Sequence, residues 1–274
     1  MNVISRTAHP LPSSTPQPPP VPQASAPAPG LWAAAGLIVL YFALQSAAGA
    51  LLSLVMALVE GFRHGRPGID STIQAMPGLQ AVLVMFSLGV AALLTLWLTR
   101  RRWPQLWSLG RPPGFGFAPP RRPLFLVLAL VVGLAAPLLG GLLTEWLAHG
   151  HAVTQDIRQL GANTPLGLRI PLVLLVISLG PLLEELLFRG VLLSALMQRW
   201  RTGWAVLISS SLFALVHLPG LQFGWYALPE LALLAMVLAW LRLRSGSIWP
   251  AVLAHGVNNL LAVVAWFVVF NLPG

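Results

Sequence analysis

The sequence predicts an all-α fold, that of a polytopic membrane protein with about seven transmembrane helices. Of its 274 residues, 57% are apolar and only 8% are charged, whereas soluble domains carry roughly 25% charged residues. Apolar segments recur along the chain, and most are long enough to cross about 30 Å of hydrocarbon at about 1.5 Å per residue. Most arginines lie between these segments, which is typical of loops at a membrane surface.

Residues 1–30 are expected to form a disordered, proline-rich cytoplasmic tail. They contain nine prolines, with serine, alanine and glutamine between them. Such a composition cannot bury enough apolar surface to fold, and it favours extended polyproline-like conformations.

Seven apolar segments follow the tail and are interpreted as the transmembrane helices. The fifth and the sixth are short, since each spans only about 22 Å at helical rise. They are either short spanning helices or a re-entrant hairpin, and the sequence is compatible with both. The N-terminal helices, with a basic loop at 100–123, are assigned to residues 31–165. The seven segments are 31–59, 73–99, 124–148, 170–198, 204–218, 229–243 and 247–270.

Arginine placement predicts the orientation of the chain in the cell membrane. Every one of the 16 basic residues is an arginine, and cytoplasmic loops carry an excess of basic residues. Eleven lie on the side that holds the N-terminus and the 100–123 loop, and four lie on the opposite side. The N-terminus and this loop are therefore expected to be cytoplasmic. The eleven are Arg6, Arg100, Arg101, Arg102, Arg111, Arg121, Arg122, Arg199, Arg201, Arg242 and Arg244; the four are Arg63, Arg66, Arg158 and Arg169.

The same placement predicts that the arginines lie at the lipid bilayer and that the protein does not bind nucleic acid. Nucleic-acid binding requires basic residues clustered on an aqueous face, and here apolar runs separate them. The stretch GRPPGFGFAPPRRP, residues 110–123, is interpreted as an irregular cytoplasmic loop near anionic head groups. The chain contains no cysteine, which excludes disulfides, thiolate metal ligands and cysteine nucleophiles.

Ionisable side chains within the predicted spans are functional candidates, because a charge at the bilayer centre costs about 2.5–3.5 kcal/mol. The stretch PLLEELLFRG, residues 181–190, carries three of them. Glu185 and Arg189 are four residues apart and are expected to pair on one helical face. Glu184 points about 100° away from Glu185 and has no partner at that spacing, which makes it the candidate general base. An ion-paired helix contact without chemistry is the alternative.

Two histidines and an asparagine fall on later segments. His217 ends the run FALVH, and His255 is followed four residues later by Asn259 in HGVNN. A histidine and an asparagine on one helical face direct two donors at one point, as an oxyanion site requires, but an interhelical polar clasp has the same spacing. Counted from the helix ends on the predicted cytoplasmic side, these residues and Glu184 lie at depths of about 12–21 Å. All four are thus predicted to share one layer of the membrane.

This combination predicts hydrolysis of a peptide bond within the membrane. A glutamate and a histidine can deprotonate one water, while a histidine and an asparagine can stabilise the oxyanion. The sequence argues against the zinc and aspartyl types of intramembrane protease, and a serine nucleophile (Ser178, Ser194 or Ser209–Ser211) stays open without a supporting motif. The sequence contains no HExxH zinc motif, Asp70 and Asp156 fall in loops, and no serine lies in a Gly-x-Ser-x-Gly elbow.

The motifs resemble those of the CAAX-protease and bacteriocin-processing (CPBP, or Abi) family of membrane proteins. EELLFR (184–189) is similar to its EExxxR motif, FALVH (213–217) to its FxxxH motif and HGVNN (255–259) to its HxxxN motif. The resemblance covers about residues 170–265. It implies a CPBP-like catalytic helical core over 166–274, with the active site between helices within the membrane.

The resemblance further implies a glutamate-type intramembrane endopeptidase that acts on a membrane-anchored or CAAX-like protein substrate, embedded in the membrane or lipidated. The family was formerly classed as metalloproteases. No cofactor is expected here, and zinc is the alternative, because two histidines and one glutamate can bind it with an open position. The implied roles are water activation by Glu184 and His217, an oxyanion site of His255 and Asn259, and support by Glu185 and Arg189.

Two functions of other classes stay open. A non-catalytic membrane immunity or scaffold protein of the same fold would keep these residues without using them. A proton-coupled transporter would use Glu184 and the histidines as a proton relay. The sequence shows no inverted-repeat pattern, which argues against transport.

Overall fold

The computed structural model describes residues 29–64, 72, 76, 78–107, 114–151, 160–161 and 163–268. Within them the regular secondary structure is helical, with seven principal helices and short 3₁₀ turns. The helices are α1 Leu31–His64, α2 Leu79–Arg102, α3 Leu124–Ala148, α4 Leu166–Met197, α5 Thr202–Val216, α6 Leu228–Ser245 and α7 Trp249–Val268.

Several sequence predictions fall outside the described residues. They include the proline-rich tail up to residue 28 and the two aspartates assigned to loops. Four of the arginines used to predict orientation also lie there. The residues concerned are Asp70, Asp156, Arg6, Arg66, Arg111 and Arg158.

Each predicted apolar segment corresponds to one helix, so the predicted fold class is confirmed: the chain is an all-helical, multi-pass membrane protein. α1 to α4, and α6 together with the turn before it, are long and apolar enough to cross a membrane. α5 is shorter, at 15 residues, and ends in a compact turn that leads into α6. The outer surfaces of the helices expose leucine, valine and tryptophan side chains, as helices surrounded by lipid do.

α4 is an α-helix interrupted by two π-helical stretches, Leu175–Leu179 and Leu186–Leu192. They flank the short α-helical piece Gly180–Glu185, which carries both glutamates of the first motif. π-Helical turns occur frequently at functional sites, because they change the direction of side chains and free backbone groups. The two interruptions therefore mark the middle of α4 as the place to look for chemistry.

Pro181 leaves one carbonyl of the first interruption without a backbone donor. In a regular α-helix the carbonyl of Val176 would accept from the N–H of Gly180, but here Gly180 donates to the carbonyl of Leu175. The next π-type donor for Val176 would be residue 181, and proline has no N–H. Neither helical pattern thus gives the Val176 carbonyl a backbone donor, which leaves it available to a side chain.

α7 lies between α3 and α4 in close contact with both. A Cβ added to Gly133 of α3 would lie 2.6 Å from the Cβ of Val257, and one added to Gly256 would overlap the Ile177 carbonyl oxygen. Small residues at such positions let helix backbones approach closely. The close approach at Gly256 places the neighbouring His255 beside α4.

Residues 114–120, the described start of the segment that leads into α3, are irregular as expected, but part of this stretch packs against the bundle. Residues 114–116 are buried, and Phe115 packs its ring 5.4 Å from that of Trp107 and 5.6 Å from that of Phe117. Arg242, counted above among the cytoplasmic flanking arginines, is 0% exposed. It lies beneath this segment, so its role is in packing rather than in orientation.

Candidate active site

Three side chains from separate helices meet at one point: Glu184 on α4, His217 at the end of α5 and His255 on α7. Oε2 of Glu184 lies 3.7 Å from Nε2 of His217 and 3.6 Å from Nε2 of His255. The side chains are 20%, 31% and 5% exposed, respectively. The cluster is therefore sheltered inside the bundle while one side remains accessible.

The end of α5 fixes the orientation of His217. The helix tightens there into a 3₁₀-type turn, in which the His217 N–H donates to the Ala214 carbonyl at 3.1 Å. Nδ1 of His217 lies 2.7 Å from the Phe213 carbonyl oxygen. A carbonyl can only accept, so Nδ1 carries the proton, and Nε2 of the neutral ring is an acceptor that faces Glu184.

Glu185 binds two partners through one oxygen. Oε1 lies 2.9 Å from Nη1 of Arg189, as the spacing of four residues predicted, and 3.0 Å from Nδ1 of His255. Glu185 is 0% and Arg189 1% exposed. Because the carboxylate accepts from Nδ1, it turns Nε2 of His255 towards Glu184. The spacing along the sequence predicts only the contact with Arg189, and the contact with His255 has no local signal in the sequence.

Asn259 is bound to the first π-helical stretch of α4. Its Nδ2 donates to the Val176 carbonyl at 3.1 Å, the carbonyl that Pro181 leaves without a backbone donor. One of the two amide hydrogens thus holds α7 against α4, and the other remains for a further acceptor. Asn258 contacts Asn259 with a nitrogen–oxygen distance of 3.4 Å. The predicted oxyanion role of Asn259 stays a prediction.

Phe213 is a buried part of the cluster whose role the sequence analysis missed. Its ring is 1% exposed and lies 4.5 Å from Cζ of Arg189, 4.6 Å from the ring of His217 and 5.7 Å from that of His255. A cation over an aromatic face is stabilised by the ring quadrupole. The signal was present in the FxxxH motif, in which Phe213 precedes His217 by one helical turn.

Tyr41 of α1 also belongs to the surroundings of the site, although it lies outside the three motifs. It is 1% exposed, packs in the core with Leu183 and Leu187, and lies within electrostatic range of Glu184. No sequence motif connects α1 to the site, because the proximity arises only when the helices pack.

An apolar cavity of about 560 Å³ lies between α3, α4 and α7. Its walls include Leu126, Leu182, Trp249 and Leu260. Gly256, which follows His255 in α7, also lines it. The cavity therefore offers an apolar ligand group a place against Gly256, the residue after His255, although Glu184, His217 and His255 do not line it.

The three clustered side chains provide donor atoms of the kinds that zinc accepts, and both histidines have partners at Nδ1 that would orient them. The distances of 3.6 and 3.7 Å from the Glu184 oxygen are longer than the roughly 3.3 Å between neighbouring ligands of a tetrahedral zinc with bonds of about 2.0–2.1 Å. Within the described part of the chain, no group of three or more His, Cys, Asp or Glu is arranged to hold a metal ion. Metal independence nevertheless stays a prediction.

Comparison with known proteins gives two matches. A family model described as "Rce1-like: Type II CAAX prenyl endopeptidase Rce1-like" matches residues 166–261, the stretch that contains all three motifs. The protein named "Putative membrane peptidase YdiL" of Bacillus subtilis (strain 168) is 24% identical over 229 residues, which cover 83% of this chain and 86% of that relative. No solved structure matches the chain. Residues 166–261 are therefore similar to the type II CAAX prenyl endopeptidase Rce1-like proteins, a family of CAAX-type membrane proteases.

Proposed function

We propose that the chain is a glutamate-type intramembrane endopeptidase that hydrolyses a peptide bond of a membrane-anchored or CAAX-like protein substrate. The observation that carries this proposal is the meeting of Oε2 of Glu184 with Nε2 of His217 and Nε2 of His255, at 3.7 and 3.6 Å. A carboxylate and two imidazoles at such separations, in a sheltered position, suit the activation of one water molecule.

The first step is the activation of the water by Glu184 and His217. Their facing atoms are both acceptors and are too far apart for a direct hydrogen bond, so a water that donates one hydrogen to each satisfies both. As the water oxygen attacks the substrate carbonyl, its proton passes to Glu184. The protonated carboxyl then donates that proton to the leaving amine, as a general acid does.

The second element is stabilisation of the oxyanion by His255 and Asn259. Nε2 of His255 faces the site, and Asn259 retains one amide hydrogen beyond the one bound to Val176. Donation from Nε2 requires a second proton on His255, and the Glu185 carboxylate at Nδ1 compensates the resulting charge. Each preorganised donor of this kind contributes roughly 10²–10³-fold to turnover.

The apolar cavity supports a membrane-embedded or lipidated substrate. Its volume of about 560 Å³ is in the range of ordinary ligand pockets, about 300–1,000 Å³. A lipid chain or an apolar peptide side chain bound between Leu182 and Gly256 would bring the adjoining peptide bond to His255. The lipid bilayer is then both the environment of the enzyme and the source of the substrate.

The proposal includes the location and orientation of the enzyme. We place it in the cell membrane, with the N-terminus and the α2–α3 segment in the cytoplasm. The support is the excess of arginine at that end of the helices, where Arg100, Arg101 and Arg102 end α2 and are exposed.

The test is substrate trapping in the native membrane with Glu184→Gln, followed by proteomics and by cleavage assays in nanodiscs. The variant should accumulate uncut substrates that the wild type cleaves. Glu145→Gln, which changes an exposed glutamate on α3, is the matched control and should cleave like the wild type. If neither the wild type nor Glu184→Gln cleaves any captured protein, the chain is an immunity or scaffold protein of this fold, whereas cleavage by both at the same rate would show that Glu184 is not the base. Loss of proton-coupled uptake, with no cleavage by the wild type, would instead identify a transporter.

A further inference from the structure

The segment Gly114–Phe117, here called the strap, crosses the end of the helix bundle at which α6 ends and α7 begins. Three hydrogen bonds hold its backbone. Phe115 N–H donates to the Leu106 carbonyl at 2.7 Å, Ile248 N–H donates to the Gly116 carbonyl at 2.9 Å, and the Trp249 indole N–H donates to the Phe117 carbonyl at 2.9 Å. The strap is thus attached to the first turn of α7.

Arg242 anchors the strap from below. Its guanidinium is 0% exposed, and Nη2 donates to the Gly114 carbonyl at 2.9 Å. A Cβ added to Gly116 would lie 2.6 Å from Cζ of Arg242. Gly116 also has a φ of 70°, a left-handed conformation that glycine adopts without strain. Position 116 therefore requires a glycine for the backbone to lie this close to the guanidinium.

Burying Arg242 at this position lowers the stability of the fold. Within the described residues, its Nε and Nη1 are buried without a hydrogen-bond partner, and no carboxylate pairs with it. A buried cation without a pair is strongly unfavourable. Among the described residues, its one hydrogen bond is the one to the Gly114 carbonyl of the strap.

Phe115 connects the strap to α4. Its ring is 1% exposed and lies over Gly190, where an added Cβ would be 2.7 Å from Cδ1 of Phe115. Gly190 follows Arg189, the partner of Glu185. The strap therefore touches α4 one residue from the ion pair and holds α7 at Trp249, six residues, or about 9 Å along the helix, before His255.

We propose that Arg242 is a positioning residue of the proposed peptidase: by holding the strap it fixes α4 against α7 and thereby sets the approach of Glu184 to His255. The inference rests on the proposed function for its activity readout. Catalytic groups displaced by about 1 Å lose roughly 100-fold in turnover, so a contact that fixes the two helices changes kcat without touching the substrate.

The first experiment compares Arg242→Gln and Arg242→Lys with Arg244→Gln, which changes an exposed arginine on the same helix. All are purified in nanodiscs and assayed per folded molecule on a substrate captured with Glu184→Gln. For Arg242→Gln we expect kcat to fall about 10- to 100-fold while KM stays within about 3-fold. Arg242→Lys keeps a donor for Gly114 and should recover part of the loss, and Arg244→Gln should match the wild type. Unchanged kcat, or a loss confined to KM, overturns the proposal.

A second pair of variants covers the case in which Arg242→Gln does not fold. Gly190→Ala pushes against the Phe115 ring and should lower kcat by about 10-fold. Phe115→Val removes the ring atoms that would meet the new methyl group, so Gly190→Ala with Phe115→Val should have a higher kcat than Gly190→Ala alone. If the double variant is no more active than Gly190→Ala, the strap does not position α4.

The last measurement separates failure of this inference from failure of the proposed function. The chain has no cysteine, so Leu253→Cys gives a single thiol, on α7 in the wall of the cavity. Its alkylation rate should change in the Arg242→Gln background and stay unchanged in the Arg244→Gln background, whether or not the protein cleaves peptides. A wild type without cleavage overturns the proposed function alone. Equal alkylation rates in both backgrounds overturn the positioning role.

Discussion

Oε1 of Glu185 lies 3.0 Å from Nδ1 of His255 and joins two helices across 70 residues of sequence. The same oxygen binds Nη1 of Arg189 at 2.9 Å. Glu185 therefore neutralises one side chain and orients another, whereas Glu184, the preceding residue, is 20% exposed and faces Nε2 of both histidines. Two adjacent carboxylates thus have different surroundings, and their substitutions should have different consequences.

Glu184→Gln should remove turnover while the protein accumulates normally. The amide keeps the size of the side chain but cannot take a proton from water, so kcat should fall by roughly 10²-fold or more. Specific activity per folded molecule, measured in nanodiscs, is the readout. Retained activity would show that Glu184 is not the base.

Glu185→Gln should lower both stability and turnover, each in part. The amide oxygen can still accept from His255, but Arg189 loses the charge that compensates it in a buried site. We expect a lower unfolding temperature than for Glu184→Gln and a smaller loss of kcat. If Glu185→Gln were inactive and Glu184→Gln active, the assignment of the two glutamates would be inverted.

Arg189→Ala should reduce accumulation more than chemistry, because it leaves Glu185 unpaired in the membrane interior. Breaking a buried pair costs roughly 3–5 kcal/mol, and the contact of the guanidinium with the Phe213 ring is lost as well. The double variant Glu185→Gln with Arg189→Gln removes both charges and should recover part of the lost abundance. Membrane abundance measured by quantitative blotting decides, and a double variant no better than the single one would refute the pairing argument.

Activity should not depend on a metal ion. The first reason is that the sequence contains no HExxH motif. The second is that the residue one helical turn after His255 is an amide, Asn259. The purified protein should contain less than stoichiometric zinc by elemental analysis and should retain its turnover after treatment with a chelator. Stoichiometric zinc, with activity lost to the chelator and restored by the metal, would reverse this prediction.

The sequence predicted the features of this fold that repeat locally. The seven helices follow from hydrophobic length, and the Glu185–Arg189 pair follows from the spacing of four residues. The depth argument predicted that the site residues share a layer, because helical rise is regular. Contacts between distant segments had no such local signal, as the binding of Glu185 to His255 and of Arg242 to the strap shows. They depend on how α4, α6 and α7 pack, which no single segment specifies.

The first π-helical stretch of α4, Leu175–Leu179, gives a second example of a contact that the sequence did not predict. The sequence did not indicate which group would bind the carbonyl that Pro181 leaves without a backbone donor. Asn259 was assigned to the oxyanion site from its spacing to His255. Its hydrogen bond to Val176 gives it a structural task as well, and the two tasks can be separated by experiment.

Asn259→Ala should cost less stability when Pro181 is also replaced by alanine. When Pro181 is present, Asn259→Ala leaves the Val176 carbonyl buried without a donor, which lowers the stability by about 1–3 kcal/mol. Pro181→Ala restores an N–H to α4, so that a backbone donor can reach this carbonyl, and the double-mutant cycle should show a coupling of about 0.5–3 kcal/mol in the free energy of unfolding.

Asn258→Ala, which loses only a 3.4 Å contact, is the control and should show no coupling to Pro181→Ala. Turnover gives the second half of the test: if Asn259 also donates to the oxyanion, its loss lowers kcat by roughly 10²-fold in both backgrounds, even where stability is recovered. Equal losses of stability in the two backgrounds would mean that Pro181 is not the reason for the contact between Asn259 and Val176.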